Sequence, residues 1–169
     1  MPRRPNLIPA AVLVPIVAAP GPHLIFTKRA LGLADHAGEI SFPGGRIEPG
    51  DTDAVAAALR ESREELALDV ARIEILGHLD FYETRTGFQV TPIVGLLAPP
   101  VQFRADPREV AEVLQVPFAY LLDPANFRRY EADAGGARRQ FHAIPYGGHV
   151  IWGATAGMLM NLCEVMRAE

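Results

Sequence analysis

The sequence predicts an α+β domain, a mixed β-sheet sandwiched between α-helices. Three observations predict it. Runs rich in valine and isoleucine, bounded by Gly/Pro turns, read as strands at both ends of the chain and in its middle. Two segments, ending near Leu66 and Arg167, place apolar residues at helical spacing. The order is strands, helix, strands, helix. No repeat, low-complexity tract or linker interrupts it, so residues 1–169 read as a single domain.

In chain order, Ala10 to Val17 reads as a buried strand. Ala19-Pro20-Gly21-Pro22 is a turn, and His23 to Lys28 is a second strand, which together make a hairpin. Residues 30–50 are a Gly/Pro-rich loop. Asp51, Thr52 and Asp53 offer N-caps for a helix running to about Leu66. Arg72 to Tyr82 reads as a strand pair or one strand bent at Gly77. Phe88 to Leu97 is another strand, which Pro92 assigns to an edge or a bulge. Asp106 to Leu114 reads as a short helix or loop. Arg139 to Trp152 contains two strand-like runs around Gly147-Gly148. Ala154 to Arg167 is the second long helix, with Met158, Leu159, Leu162 and Val165 on its apolar side.

Bulk composition excludes several functions. Apolar residues make up 49% and charged residues 21% of the 169, a soluble globular balance. The net charge is −4 and there is no basic block, so a sequence-independent nucleic-acid binder is not expected. Cys163 is the one cysteine, so no intramolecular disulfide forms, and a reducing, cytoplasmic setting is expected. Arg3 and Arg4 followed by an apolar run mimic a signal peptide. Pro9 and Pro15 interrupt that run below the roughly 18 residues a membrane helix needs. A strand with a short polar lead is the preferred reading; a secreted protein is the competing one.

The first helix carries the chemistry. At about 100° per residue, Val55, Leu59, Ser62 and Leu66 share a stripe assigned to the core. Glu61, Glu64 and Glu65 fall together on another face, flanked by Arg60, while Arg63 points away. Like charges at these spacings repel by a few tenths of a kcal/mol per pair. Two readings stand for the helix alone: a solvated acidic face, or a divalent-cation site built from hard oxygen donors.

The preceding loop, Ser41-Phe42-Pro43-Gly44-Gly45-Arg46-Ile47-Glu48-Pro49-Gly50-Asp51, favours the second. Gly45, Asp51, Arg60-Glu61 and Glu64-Glu65 together closely resemble the signature of the Nudix hydrolase family. The match has three departures. Asp51 stands where the signature has Glu, the stretch from Asp51 to Arg60 is one residue longer, and Ser62 and Ala67 replace a hydrophobic residue and a glycine. The first two occur in the coenzyme A pyrophosphatase-like subgroup. Ile25-Phe26-Thr27-Lys28-Arg29-Ala30, Gly38 and Phe42-Pro43-Gly44-Gly45 resemble that subgroup's upstream motif, but Ala34 occupies the place of its second arginine. Gly87 to Pro92 and Trp152 to Ala156 are also similar to it.

The resemblance implies the Nudix fold and hydrolysis of a diphosphate with Mg²⁺ or Mn²⁺. It implies Glu61 and Glu65 as first metal ligands, Glu64 next, and a backbone group of Gly45 completing the shell. Arg60 would hold a catalytic glutamate by a charge-assisted contact. Glu64 and Glu109 are the catalytic carboxylate candidates, with Glu109 preferred as general base over Glu112 and Glu83. Lys28, Arg29, His36, Gly44 and Gly45 are the substrate-binding candidates, Lys28 also partly replacing the missing arginine. Phe42, Phe81 and Phe88 are either core or adenine-flanking. The implied substrate is coenzyme A or an acyl derivative, cut to 4'-phosphopantetheine and adenosine 3',5'-bisphosphate. The alternatives are another nucleoside diphosphate derivative, such as ADP-ribose or a dinucleotide, and a non-catalytic Nudix-fold module. The implied partner is a small nucleotide-type molecule, with no nucleic acid or membrane, and a homodimer is expected by resemblance.

Overall fold

The computed structural model describes residues 6–34 and 36–168. The polar lead with Arg3 and Arg4 lies outside them. The chain opens with β1 (Ile8–Val17), β2 (His23–Arg29), β3 (Ile40–Ser41) and β4 (Gly44–Arg46). Helix α1 (Ala54–Leu66) follows, then β5 (Ile73–His78), β6 (Tyr82–Glu83), β7 (Phe88–Leu97) and β8 (Val110–Pro117). The C-terminal part is α2 (Phe118–Leu122), β9 (Arg128–Ala134), β10 (Ala137–Tyr146), β11 (His149–Ile151) and α3 (Gly153–Arg167).

Among the described residues the larger sheet has the order β3-β2-β1-β7-β5. Strand β4 also pairs with β1, β6 with β7, and β8 with β2. Strands β1 and β7 run parallel over Ile8↔Phe88 to Val17↔Leu97, while the other pairs of this sheet are antiparallel. The sheet is therefore mixed, as expected. The predicted β1–β2 hairpin forms, with Ile16 opposite Leu24. Strands β9 to β11 make a separate antiparallel sheet.

Side-chain alternation divides the core in two. Leu24 and Phe26 of β2 join Leu114, Val116, Met158, Leu159 and Leu162 on the α3 side. Ile25, between them, joins Leu13, Ala57, Ala58, Leu66 and Ile93 on the α1 side. The helices thus sandwich the sheet. Full burial of a side chain such as Phe26 contributes roughly 1.5–3 kcal/mol of transfer free energy.

Three expectations need correction. In the segment expected as helix or loop from Asp106 to Leu114, residues 106–109 are a loop and residues 110–114 are the first part of strand β8. Val110, Leu114 and Val116 are the buried residues of β8, and pairing with β2 overrides a pattern that also fits a helix. Strand β7 is not at an edge, since it lies between β1 and β5. Pro92 is accommodated because it faces the break between β5 and β6, where its carbonyl accepts the Leu79 N–H at 2.9 Å. Val165 is 47% exposed, one turn beyond the last core contact of α3. Strand β9 and the short α2 carried no assignment from the sequence. The segment at Gly77 resolves as two strands, with φ +149° at Gly77 and a register shift beside it.

Candidate active site

Helix α1 begins at Asp53, whose carboxylate accepts the Ala56 N–H at 2.8 Å. Its buried residues are Ala57, Ala58, Ser62, Glu65 and Leu66. Glu65 therefore turns inward rather than sharing a solvent face with Glu64, and is 5% exposed. Val55 and Leu59 are only half-buried, so the core stripe is rotated from the expected one. The buried Ser62 hydroxyl donates to the Ala58 carbonyl at 2.7 Å, which lets a hydroxyl replace a hydrophobe there. Ala67 ends the helix at φ +53°, the left-handed conformation that explains why a glycine suits this position.

Arg60 organises the loop before the helix. Its Nε and Nη2 donate to the two oxygens of Asp51 at 2.9 and 3.0 Å. Nη1 donates to Glu61 Oε1 at 3.0 Å, and Nη2 also reaches the Arg46 carbonyl at 3.1 Å. The Asp51 side chain is only 6% exposed and also accepts the Glu48 N–H. The Arg60 hydrogen bond, then that N–H, hold its carboxyl below the usual carboxylate range. Asp51 in turn strengthens the Arg60 charge. The sequence marked Asp51 as a possible cap and a departure from the signature; its grip on Arg60 was missed. The Asp still reaches Arg60 across the longer spacing.

Carboxylate oxygens of Glu61, Glu65 and Glu109 lie within 4.8 Å of one another. Burial, then the charges of Glu61 and Glu109, push Glu65 up to about 8, against the pull of Arg29 and the Gly44 N–H. Burial likewise raises Glu61, opposed by Arg60. Repulsion of this kind is what a divalent cation would relieve, and the all-oxygen donor set fits Mg²⁺ or Mn²⁺.

The glycines permit this approach. A Cβ on Gly45 would lie 2.6 Å from Glu61 Oε1, and one on Gly44 would overlap the Ala11 carbonyl. Strand β4 holds both against β1, with Gly45 opposite Ala11.

The remaining candidates separate. Glu64 is outside the trio; its side chain is 49% exposed, 3.4 Å from Arg60. Glu112 lies 3.2 Å from His149 Nε2, and exposed Glu83 lies in β6. Arg29 acts on Glu65 through its charge. Lys28 pairs across with Glu112, and strand alternation sets it on the α3 side with Leu24 and Phe26, away from Arg29. Exposed His36 pairs with Glu39 at 2.9 Å. Phe42 stacks on Phe26 in the core at 4.8 Å, Phe81 is exposed, and Phe88 is half-buried under Arg46.

Fold and site together define an α+β domain with a carboxylate cluster set on a glycine loop and helix. The model of the NUDIX domain matches residues 7–135. The "Uncharacterized Nudix hydrolase NudL" of Escherichia coli O6:H1 is 39% identical over 153 residues, 90% of this chain and 80% of that protein. The chain belongs to the Nudix hydrolase family. Among solved structures, the Mycobacterium smegmatis Nudix hydrolase RenU shares the fold with a TM-score of 0.64 at 17% identity, over 95% of this chain and 86% of that one. A Caenorhabditis elegans Ap4A hydrolase in a binary complex shares it with a TM-score of 0.55 at 21% identity, over 64% and 79%. No helix among the described residues is long and apolar enough to cross a membrane.

Proposed function

We propose that the chain hydrolyses the diphosphate bond of coenzyme A or its acyl derivatives with a divalent cation. The products are (acyl-)4'-phosphopantetheine and adenosine 3',5'-bisphosphate. The carrying observation is the convergence of Glu61, Glu65 and Glu109 beside the Gly44-Gly45 loop. Residues 25–45, with Arg29 on the trio's side of β2, support the coenzyme A class.

Glu61 and Glu65 would hold the cation, and Arg60 fixes Glu61 by its hydrogen bond at 3.0 Å. Bound there, Mg²⁺ or Mn²⁺ supplies positive charge that neutralises the diphosphate and acidifies water. Glu109 takes the proton of the attacking water. The water oxygen bonds to phosphorus in line with the bridging oxygen, the bridging P–O bond breaks, and its electron pair leaves with the departing phosphate. Arg29 lends charge to the diphosphate.

Ala34 favours a second reading: another nucleoside diphosphate derivative, such as ADP-ribose or a dinucleotide. Hydrolysis rates on coenzyme A, ADP-ribose and Ap4A with Mg²⁺ and with Mn²⁺ separate the two. Coenzyme A should be cleaved with the highest kcat/KM. Cleavage of ADP-ribose or Ap4A with coenzyme A untouched would sink the coenzyme A assignment.

A further inference from the structure

We propose that Asp106 is a positioning residue that sets Glu109 against Glu61 and Glu65, an inference resting on the proposed role of Glu109. The Asp106 N–H donates to the carbonyl of Glu65 at 2.9 Å. Its own carbonyl accepts the N–H groups of Glu109 at 3.0 Å and Val110 at 2.8 Å. One residue thus links by main chain two of the three clustered glutamates. The attachment uses the end of α1, where carbonyls have no partner within the helix. Arg104 caps the neighbouring carbonyl of Leu66 at 2.8 Å. On the far side, the Glu109 carbonyl accepts the Ala30 N–H at 2.9 Å, beside Arg29.

The Asp106 side chain closes the turn. Oδ1 accepts the Arg108 N–H at 3.0 Å, an Asx turn that an acceptor three bonds from Cα can make. Arg108 also pairs with Oδ2 at 2.8 Å, but that side chain is 86% exposed and the ion pair contributes little. Reach, not charge, is therefore what the site requires of Asp106.

Steady-state kinetics of Asp106→Asn and Asp106→Glu, alone and with Glu109→Gln, test this. The substrate is coenzyme A with Mg²⁺, or whichever diphosphate of the panel is cleaved. Asp106→Asn keeps the acceptor at the same reach and should stay within about threefold of wild-type kcat. Asp106→Glu keeps the charge but is one methylene too long. Its kcat should fall about 10- to 100-fold with KM within about twofold. In the Glu109→Gln background the same change should move kcat less than about twofold, since no carboxylate base remains to position. A near-wild-type Asp106→Glu overturns the proposal. So does an Asn variant as impaired as Glu, or a full Asp106→Glu loss in the Glu109→Gln background. If Glu109→Gln is itself as active as wild type, the role of Glu109 fails first. If Glu109→Gln is impaired and Asp106→Glu is not, positioning alone fails.

Discussion

Arg60 spends its donors on Asp51, Glu61 and a loop carbonyl, so one side chain fixes both the loop and a carboxylate of the trio. Glu65 and Glu64 are adjacent in sequence yet differ in setting, and their substitutions should differ too. Glu65→Gln should lower turnover about a hundredfold or more. Glu64→Gln should lose less than about tenfold, since that side chain stands half in solvent. Equal losses in kcat assays would contradict the inward placement of Glu65. Gly45→Ala separates activity from stability. The atoms nearest its Cβ would be the flexible end of Glu61, the closest at 2.6 Å. Turnover should fall at least about tenfold while the thermal midpoint shifts little. An active Gly45→Ala protein would show that Glu61 need not sit where it does.

At the scale of elements, α1 was legible from its Asp cap and its spacing. Its rotation was not, because half-buried Val55 and Leu59 look more apolar than the small Ala57 and Ala58 that pack fully. Small residues there let the helix approach the sheet closely enough to bury Glu65. Strand β8 was misread because VAEVLQV suits both periods, and only pairing with β2 decides. The turn at Asp106-Pro107 had a signal, since Asp-Pro favours turn initiation, but nothing local says what it binds. The helix end makes a stability prediction. Ala67 holds φ +53° without the freedom of glycine. Ala67→Gly should stabilise the protein by up to about 1 kcal/mol in denaturant unfolding. A destabilised variant would mean that the Ala67 side chain packs usefully.

For the whole molecule, the trio couples stability to pH and to metal. Glu65 ionises near 4.5 ordinarily and near about 8 in the fold. Between those values the folded state keeps a proton that the unfolded state releases. Its share of stability is therefore full below about pH 4.5 and lost as pH rises through about 8. A cation favours the ionised carboxylate and so reverses the loss. Mn²⁺ should raise the thermal midpoint more at pH 8 than at pH 6, against EDTA controls. An equal rise at both would remove Glu65 from the metal site.

The β1–β2 hairpin, β7, the acid-bearing α1 and the long α3 could be read from local pattern alone. Tertiary contacts supplied what pattern could not: the burial of Glu65, the approach of Glu109 from a distant turn, and the separation of Lys28 from Arg29 across β2. Substrate choice is the least local property, and Ala34 is where the sequence departs from its expected pattern. Mass spectrometry of the products from coenzyme A and Mg²⁺ tests the central claim most directly. The account predicts 4'-phosphopantetheine and adenosine 3',5'-bisphosphate in equal amounts, and none with EDTA. Intact coenzyme A in the presence of Mg²⁺ or Mn²⁺ would contradict it.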